Sequence, residues 1–581
     1  MSRRLEVLLA GALLSALVVF AFLPTLGHGW APIDDGLNFT RNEHYRGLSW
    51  DNLRWMWTTR LAGHYIPLSW MTLGADFLVS GMNPAGYHRT NLLLHLANAL
   101  LFFGLALQIS RRPEVGGPAP TDEQPNAMWA SLAAFAAAAF FSLHPLRVES
   151  VAWITERRDL LCGLFCLLAV HAYLGYVRRE GGGRRVFYAL ALIAFAAALL
   201  SKGIAVVLPA ALLALDAGPL GRLDPDPRRW RLAAWRLILL EKLPFLLLSA
   251  LFSAITLWAI SPVMSEATIA GIEHRLLAAA FGLSFYLEKS FLPWSIPFQI
   301  PTTDLLSLES DPGIAARGAA FLALLGLAVF AWSKWRRPQA ALALAVFTLF
   351  VLPVSGLFQA GPQLAAHRYT YLAGLSLALL IGGIVMRAGR LRVLPAQLAA
   401  ALVVVVLAGL LACATRFQVA LWRDEVTFCR AAVQAAPRAW APVGALARAL
   451  LSRGEDAETL AVLRAGRQRL PSAMLLPYLE AMILSTSESR EVRDGAEALR
   501  LAERTARATS FQDPAALLAF AAAAAETGDD PAARRLLESA ETLARAGRKP
   551  ELLPALEEAQ RQISRSARVR FSREDWDRYR L

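Results

Sequence analysis

Runs of apolar residues about 20 long, enough for a helix to cross roughly 30 Å of hydrocarbon, recur from Leu5 to Arg416 and then stop. The pattern predicts membrane helices near residues 6–26, 84–108, 128–143, 159–177, 186–200, 203–217, 243–261, 275–293, 316–333, 338–354, 371–387 and 394–415. Some are short enough to be half-helices or re-entrant segments, and about 11–13 crossings are expected. Between them lie short polar segments, several rich in arginine.

Beyond residue 416 the pattern turns to short Ala- and Leu-rich helical runs, broken by Pro437, Pro471, Pro514 and Pro550. The first gap matches the period of a tetratricopeptide (TPR) unit. Gly454, well ahead of Pro471, suits the turn of a helix-turn-helix unit, and Gly528-Asp529-Asp530 repeats that turn chemistry. The runs resemble degenerate TPR repeats: three units and a final helix, enough for a small solenoid with a concave surface. The fold class is therefore all-α. A polytopic membrane bundle over 1–416 is followed by a linker, 417–436, and a TPR-like α-solenoid, 437–581. An undifferentiated helical bundle is the alternative for the last part.

Composition agrees with a bilayer protein, since 56% of the 581 residues are hydrophobic and 18% charged. The 59 Lys and Arg exceed the 46 Asp and Glu, a net +13. In a membrane protein this is explained by cytoplasmic loops and anionic headgroups, not nucleic acid. Few of these bases are lysine, which together with Ala richness points to a GC-rich bacterium. The four cysteines form no zinc-like framework. Arg3 and Arg4 precede the first apolar run, so the positive-inside rule puts the N-terminus in the cytoplasm. Gly27-His28-Gly29-Trp30 is a poor signal-peptide cleavage site, so the first helix should be retained. Residues 28–83 then form an outer loop, and Arg111-Arg112, Arg178 to Arg185, Arg222 to Arg236, Arg336-Arg337 and Arg387 to Arg392 lie inside. Parity between 243 and 316 requires one further segment. The last crossing delivers the C-terminal domain to the face of the 28–83 loop. The expected location is a bacterial inner membrane with the solenoid in the periplasm.

Candidate chemistry collects on that face. Asp34-Asp35 lies a few residues beyond the first helix; such carboxylates are either solvated caps or, functionally, a base for an incoming hydroxyl with a neighbour that orients it. Trp50, Trp55, Trp57, Tyr65 and Trp70, interleaved with Arg54, Arg60 and His64, have the composition of interfacial helices and one wall of a cleft. His88, Asn91, His95 and Asn98 share one face of the next helix, either for interhelical hydrogen bonds or as a substrate-lining stripe. The segment from His144 to Asp159 holds a His, two Glu, three Arg and an Asp; a salt-bridged loop is its plain alternative. Ser201-Lys202-Gly203 and His367-Arg368-Tyr369 add cations at the same edge, and guanidinium forks match phosphate oxygens well.

Taken in order, these features resemble the GT-C membrane glycosyltransferases, and within them the transmembrane and TPR repeat-containing O-mannosyltransferases. The resemblance rests on Asp34-Asp35; Tyr65-Ile66-Pro67-Leu68; Gly81 to His88 with Asn91-Leu92-Leu93-Leu94-His95; His144-Pro145 with Glu149; Ser201-Lys202-Gly203; and His367-Arg368-Tyr369. It covers nearly the whole chain. Ile66 stands where relatives often carry a cation or polar residue, and Arg147 where His is usual.

The resemblance implies a polyprenyl-phosphate sugar donor, mannose-like, with the acidic pair at the active site on the outer loop. A protein or an envelope glycan would be the acceptor, with a protein partner on the TPR surface and membrane lipids around the bundle. Asp34 or Asp35 is the expected base of an inverting transfer. Arg157, Arg158, Lys202, His367 and Arg368 are expected to bind the donor phosphate and sugar, and His64, His88, Asn91, His95, His144 and Glu149 to line the cleft. No cofactor is required on this reading, because cations take the place of metal; a divalent cation at Asp34-Asp35 is its variant. The rivals are a transporter or flippase for a polar lipid and an inactive TPR scaffold. A flippase predicts duplicated halves and midplane charges, whereas these charges sit at one edge.

Overall fold

In the computed structural model of the chain, the residues described are 3–111, 127–223, 232–261, 272–293, 299–301, 312–335, 338–355, 357, 363–391, 393–437, 439–565, 567–572 and 574–576. Arg112, Arg228, Arg229, Arg231, Arg336, Arg337 and Arg392, counted above as inside charges, lie outside them, as does much of the 262–311 stretch where parity required another segment. Two compact units result, Met1–Asp424 and Glu425–Leu581.

The first unit is built from α1 (Arg3–Phe22), α2 (Trp50–Thr58), α3 (Pro67–Ser80), α4 (Pro84–Ser110), α5 (Ala127–Ser142), α6 (Val148–Ala152), α7 (Arg157–Arg178), α8 (Gly181–Ser201), α9 (Leu208–Ala217), α10 (Leu232–Ile260), α11 (Ile272–Phe291), α12 (Pro312–Trp335), α13 (Gln339–Val351), α14 (Thr370–Ala388) and α15 (Leu394–Ala420). Each predicted apolar run is a helix. Among the described residues, eight helices are long and apolar enough to cross a membrane, or nine if α5 and α6, bent by 53°, count as one broken span. The larger count expected from sequence included 203–217 and 338–354, which are helical but short. It also included α11, which carries Glu273, Arg275, Glu288 and Lys289 and is not among the eight. Large apolar side chains such as Leu8, Leu247, Leu322 and Leu402 are exposed. A soluble protein would not leave that much apolar surface open, so the chain is a multi-pass membrane protein. One departure from an all-helical chain is a short antiparallel pair, β1 (Gln299–Pro301) with β2 (Gln363–Ala366).

Helix breaks place the polar residues. Pro145 cannot donate a helical hydrogen bond, and α5 stops just before it. His144 caps the following turn by accepting from Leu146 N–H at 3.2 Å. The chain then makes α6, a short 3₁₀ turn at Ile154–Glu156, and α7, so residues 144–159 are a tightly folded, wholly buried segment. Lys202 terminates α8 in an extended conformation, and a 3₁₀ turn follows at Gly203–Val207.

The second unit contains α16 (Glu425–Ala435), three helix pairs and a final helix. The pairs are α17 (Trp440–Arg453) with α18 (Asp456–Arg469), α19 (Leu475–Thr486) with α20 (Gly495–Ala508), and α21 (Pro514–Thr527) with α22 (Asp530–Arg545); α23 (Leu553–Ser564) ends the series. Gly454 and Gly528 sit at the predicted turns with φ of 76° and 95°, a left-handed conformation that glycine reaches without a Cβ penalty. Glu480, fully buried, joins the first two pairs by accepting from Arg464 at 3.1 Å and Arg467 at 2.9 Å. The expected linker 417–436 is corrected: α15 runs on to Ala420, and α16 already belongs to the second unit.

Candidate active site in the first loop

Asp34 and Asp35 part company. Asp35 is fully buried and points back into the protein. One carboxylate oxygen accepts from Ala31 N–H at 2.8 Å; the other accepts from the Trp153 indole at 2.9 Å and the Thr155 hydroxyl at 2.7 Å. Trp153 also donates to Ile33 O, and Asn38 donates to Thr155 Oγ1 at 3.0 Å. These bonds staple residues 31–38 to residues 153–155. Burial raises the Asp35 pKa to about 7, against the pull of the Thr155, Ala31 and Trp153 hydrogen bonds. Its role is that of a strut. Asp35→Ala would leave the Ala31 amide and the Thr155 hydroxyl proton without their acceptor, each costing about 1–3 kcal/mol when buried without a partner, while the Trp153 indole keeps Ile33 O; a lowered melting temperature of the detergent-solubilised chain would register this.

Asp34 takes the left-handed conformation, φ 55°, that turns its side chain away from its neighbour. Such a backbone is uncommon outside glycine, although Asp tolerates it. The side chain is exposed and lies in the field of Arg158, Glu156 and Arg368. Its surface reaches solvent, but the protein packed around it desolvates the carboxylate and raises its pKa; Arg158 lowers it, Glu156 raises it and Arg368 lowers it.

The groups facing it form a compact ion cluster. Glu156 accepts from Arg158 Nη2 at 2.6 Å and Nε at 3.1 Å, from Lys202 Nζ at 2.9 Å, and pairs with Arg368 Nε at 3.2 Å. Lys202 also reaches Asp159 at 2.6 Å, whose second oxygen accepts from Ser150 at 3.1 Å. Glu149 accepts from the Arg368 backbone N–H at 2.9 Å and forms a close ion pair with its Nη1. Three acids thus balance three bases. In low dielectric this balance is what makes six charges tolerable. Lys202 is the most open of the three cations, with 16% of its side chain exposed against 8% and 5% for Arg158 and Arg368.

His64 comes to the same place from the loop between α2 and α3. It is reached by solvent but recessed among protein atoms, and its imidazole pKa is held well below the ordinary value by burial and then by Arg158, with Glu156 opposing and Lys202 and Arg368 adding to the effect. Hence the structure brings Asp34, His64, Arg158, Lys202, Arg368 and Glu149 together.

The other expected site residues are placed elsewhere. Arg157 is one step of about 100° around α7 from Arg158, enough to turn it away from the cluster. There it meets Asp76 at 2.7 Å, Tyr87 O at 2.8 Å and Asn91, with no exposed side-chain surface. It is an interhelical tie, which corrects its assignment to donor phosphate. His88, Asn91, His95 and His144 are likewise buried and bonded to Gly29 O, Val151 O, Ser142 O and Ser290 O. The polar stripe of α4 therefore serves helix packing, not a cleft wall. His367 is buried in the field of His144.

Glu156 and Asp159, the anchors of the cluster, were legible only as members of a salt-bridged segment, and Trp153 and Thr155 gave no signal at all. For a divalent ion the pair offers one free carboxylate, since Asp35 is occupied by three donors. Among the described residues no three His, Cys, Asp or Glu side chains gather as metal ligands.

No family model matches the chain. Protein O-mannosyl-transferase TMTC4 of Mus musculus is 26% identical over 429 residues, 66% of this chain and 55% of that protein. The chain is TMTC-like. It spans about half the length of this relative. Shorter TMTC-like stretches match TMTC4 of Homo sapiens, 32% identical over 146 residues (23% of this chain, 19% of that one), and Tmtc3 of Drosophila melanogaster, 32% over 121 residues (20% and 12%). Among solved structures, ArnT from Cupriavidus metallidurans bound to undecaprenyl phosphate aligns with a TM-score of 0.33 and 16% identity, over 79% of this chain and 74% of that one.

Proposed function

We propose that this chain is a membrane glycosyltransferase that moves a sugar, mannose in the first instance, from a polyprenyl phosphate to an acceptor hydroxyl. The observation that carries the reading is the open carboxylate of Asp34 in the field of Arg158 and Arg368, whose shared partner Glu156 also holds Lys202, while its neighbour Asp35 is consumed in holding the loop. The name of the relatives, O-mannosyl-transferases, supplies the sugar and the reaction class. The lipid-phosphate donor follows from the family resemblance and from cations set at the end of membrane helices.

In this reading the donor phosphate docks against Lys202, the most open cation, with Arg158 and Arg368 behind it. The acceptor oxygen attacks sugar C1 as Asp34 takes its proton. The bond from C1 to the phosphate oxygen breaks, and polyprenyl phosphate leaves with the electron pair. One displacement inverts the anomeric carbon. Charge grows on the leaving phosphate in the transition state, so a nearby cation contributes about 2.7–4 kcal/mol, by analogy with a lost oxyanion donor. Glu149, Glu156 and Asp159 orient the cations and do not touch the reacting atoms. The helix pairs of the second unit would recruit the acceptor or a protein partner. The setting is a bacterial inner membrane with the loop and the second unit on the outer side.

The test is reconstitution of the full chain with radiolabelled polyprenyl-phosphate sugars. Transfer of label to an acceptor supports the reading; movement of labelled lipid between leaflets without transfer would replace it with a transporter. A pH profile adds a second check. Asp34 must be ionised to act, and its pKa is raised, so kcat/KM should climb with pH along a limb above the ordinary Asp range of about 3.9. A limb at or below that range would remove Asp34 as the base.

A further inference from the structure

The loop between α2 and α3 is pinned at both ends around His64. Upstream, Arg60 lies over the Trp258 ring near the end of α10, its Cζ 4.8 Å from the ring centroid, and its Nη1 donates to Trp258 O at 3.1 Å. Downstream, Ser69 Oγ in the first turn of α3 donates to Ser201 O at 3.1 Å, one residue from Lys202. The far anchor is itself held against the cluster: a Cβ on Gly203 would meet Thr256 Oγ1 of α10 at 2.8 Å. Between the two pins the backbone passes through consecutive left-handed residues, Ala62 at φ 51° and Gly63 at φ 76°. Ala is strained there, and a strained conformation persists where its surroundings over-determine it. What this segment delivers is His64, open to solvent and within the field of Arg158, Glu156, Lys202 and Arg368.

We propose that residues 59–65 are a strap across the mouth of the acid–cation hollow, that its His64 hydrogen-bonds the sugar of the donor, and that Arg60 latched on Trp258 is a positioning residue for His64. The sugar contact rests on the transferase reading above; the strap and its latch do not. A neutral imidazole offers one donor and one acceptor, the complement of a sugar hydroxyl. Its neighbours in the hollow are cations that would hold the phosphate. Strap and cluster thus divide the donor between them. An exposed latch combining a cation–π contact with a hydrogen bond is strong enough to hold the strap and weak enough to release it at each turnover.

The experiment uses the full-length protein in nanodiscs. Arg60→Ala should raise the donor KM about tenfold while kcat changes by less than about threefold, the signature of lost ground-state positioning. Arg60→Lys, which keeps the charge over the ring, should recover part of that loss. His64→Ala should raise KM at least as much, and the double substitution should be no worse than His64→Ala alone, because the latch acts through the imidazole. Additive effects, or an unchanged KM in Arg60→Ala, would overturn the assignment. A readout free of activity separates the two levels. Carbethoxylation of His64 by diethyl pyrocarbonate, followed by peptide mass spectrometry, should accelerate about fivefold or more when Arg60→Ala frees the strap and lets the recessed imidazole swing clear of the protein atoms around it. An unchanged rate would sink the latch even if the wild type proves to be a transferase. A wild type that transfers no sugar would overturn the transferase reading and the sugar contact with it, and the modification rate would still decide the strap.

Discussion

Asp34→Asn should reduce kcat by about two to four orders of magnitude, the usual contribution of a general base, while leaving the melting temperature nearly unchanged. The side chain makes no hydrogen bond within the protein among the described residues, so its removal orphans nothing. Asp35→Asn should behave in the opposite manner. Its amide would present N–H groups to donors already aimed at the carboxylate, so the fold of the loop would suffer first. Transfer assays and thermal unfolding on the same two preparations therefore distinguish base from strut. Equal loss of activity in both, with equal loss of stability, would mean that Asp34 is no more than part of the loop's scaffold.

Glu156→Gln should destabilise the first unit by about 3–5 kcal/mol, the cost of leaving buried charges without their partner. Glu156 has no exposed side-chain surface and receives Arg158, Lys202 and Arg368 together. Glutamine has the same shape but presents two N–H donors and no charge, so three cations would face one another. Adding Lys202→Met restores the balance of charge, and part of the melting temperature should return. The double variant should stay inactive, because the most open cation is gone. If Glu156→Gln alone melts like the wild type, the cluster is hydrated well enough for water to replace the carboxylate, and the low-dielectric balance of three acids and three bases would have to be abandoned.

The plain alternative for residues 144–159, a salt-bridged segment, describes much of what is found. Arg157 and Arg158 each have an acid within 2.7 Å, while Arg147 lies over the rings of Phe141 and Tyr371 instead. On the proposed reading, function is added by what faces the cluster. The first loop brings Asp34 from one direction and His64 from another, and among the described residues neither carboxylate nor imidazole is used up in the protein's own hydrogen bonds.

Periodicity is local, and so the sequence by itself determined the apolar helices, the break at Pro145, the glycine turns at 454 and 528 and the change of architecture after residue 416. Each depends on a few neighbouring residues and on the simple need to bury apolar surface in lipid or in a helix pair. Only the tertiary structure decided which acid is free. Asp35 finds its partners 118 and 120 residues away, and Glu149 finds Arg368 219 residues away. Arg157 and Arg158 differ by a single position yet face opposite partners, Asp76 and Glu156, because one residue on a helix is about 100° of rotation. Charge and spacing identified the residues that meet; burial and distant hydrogen-bond partners left one aspartate open and tied the other into the loop.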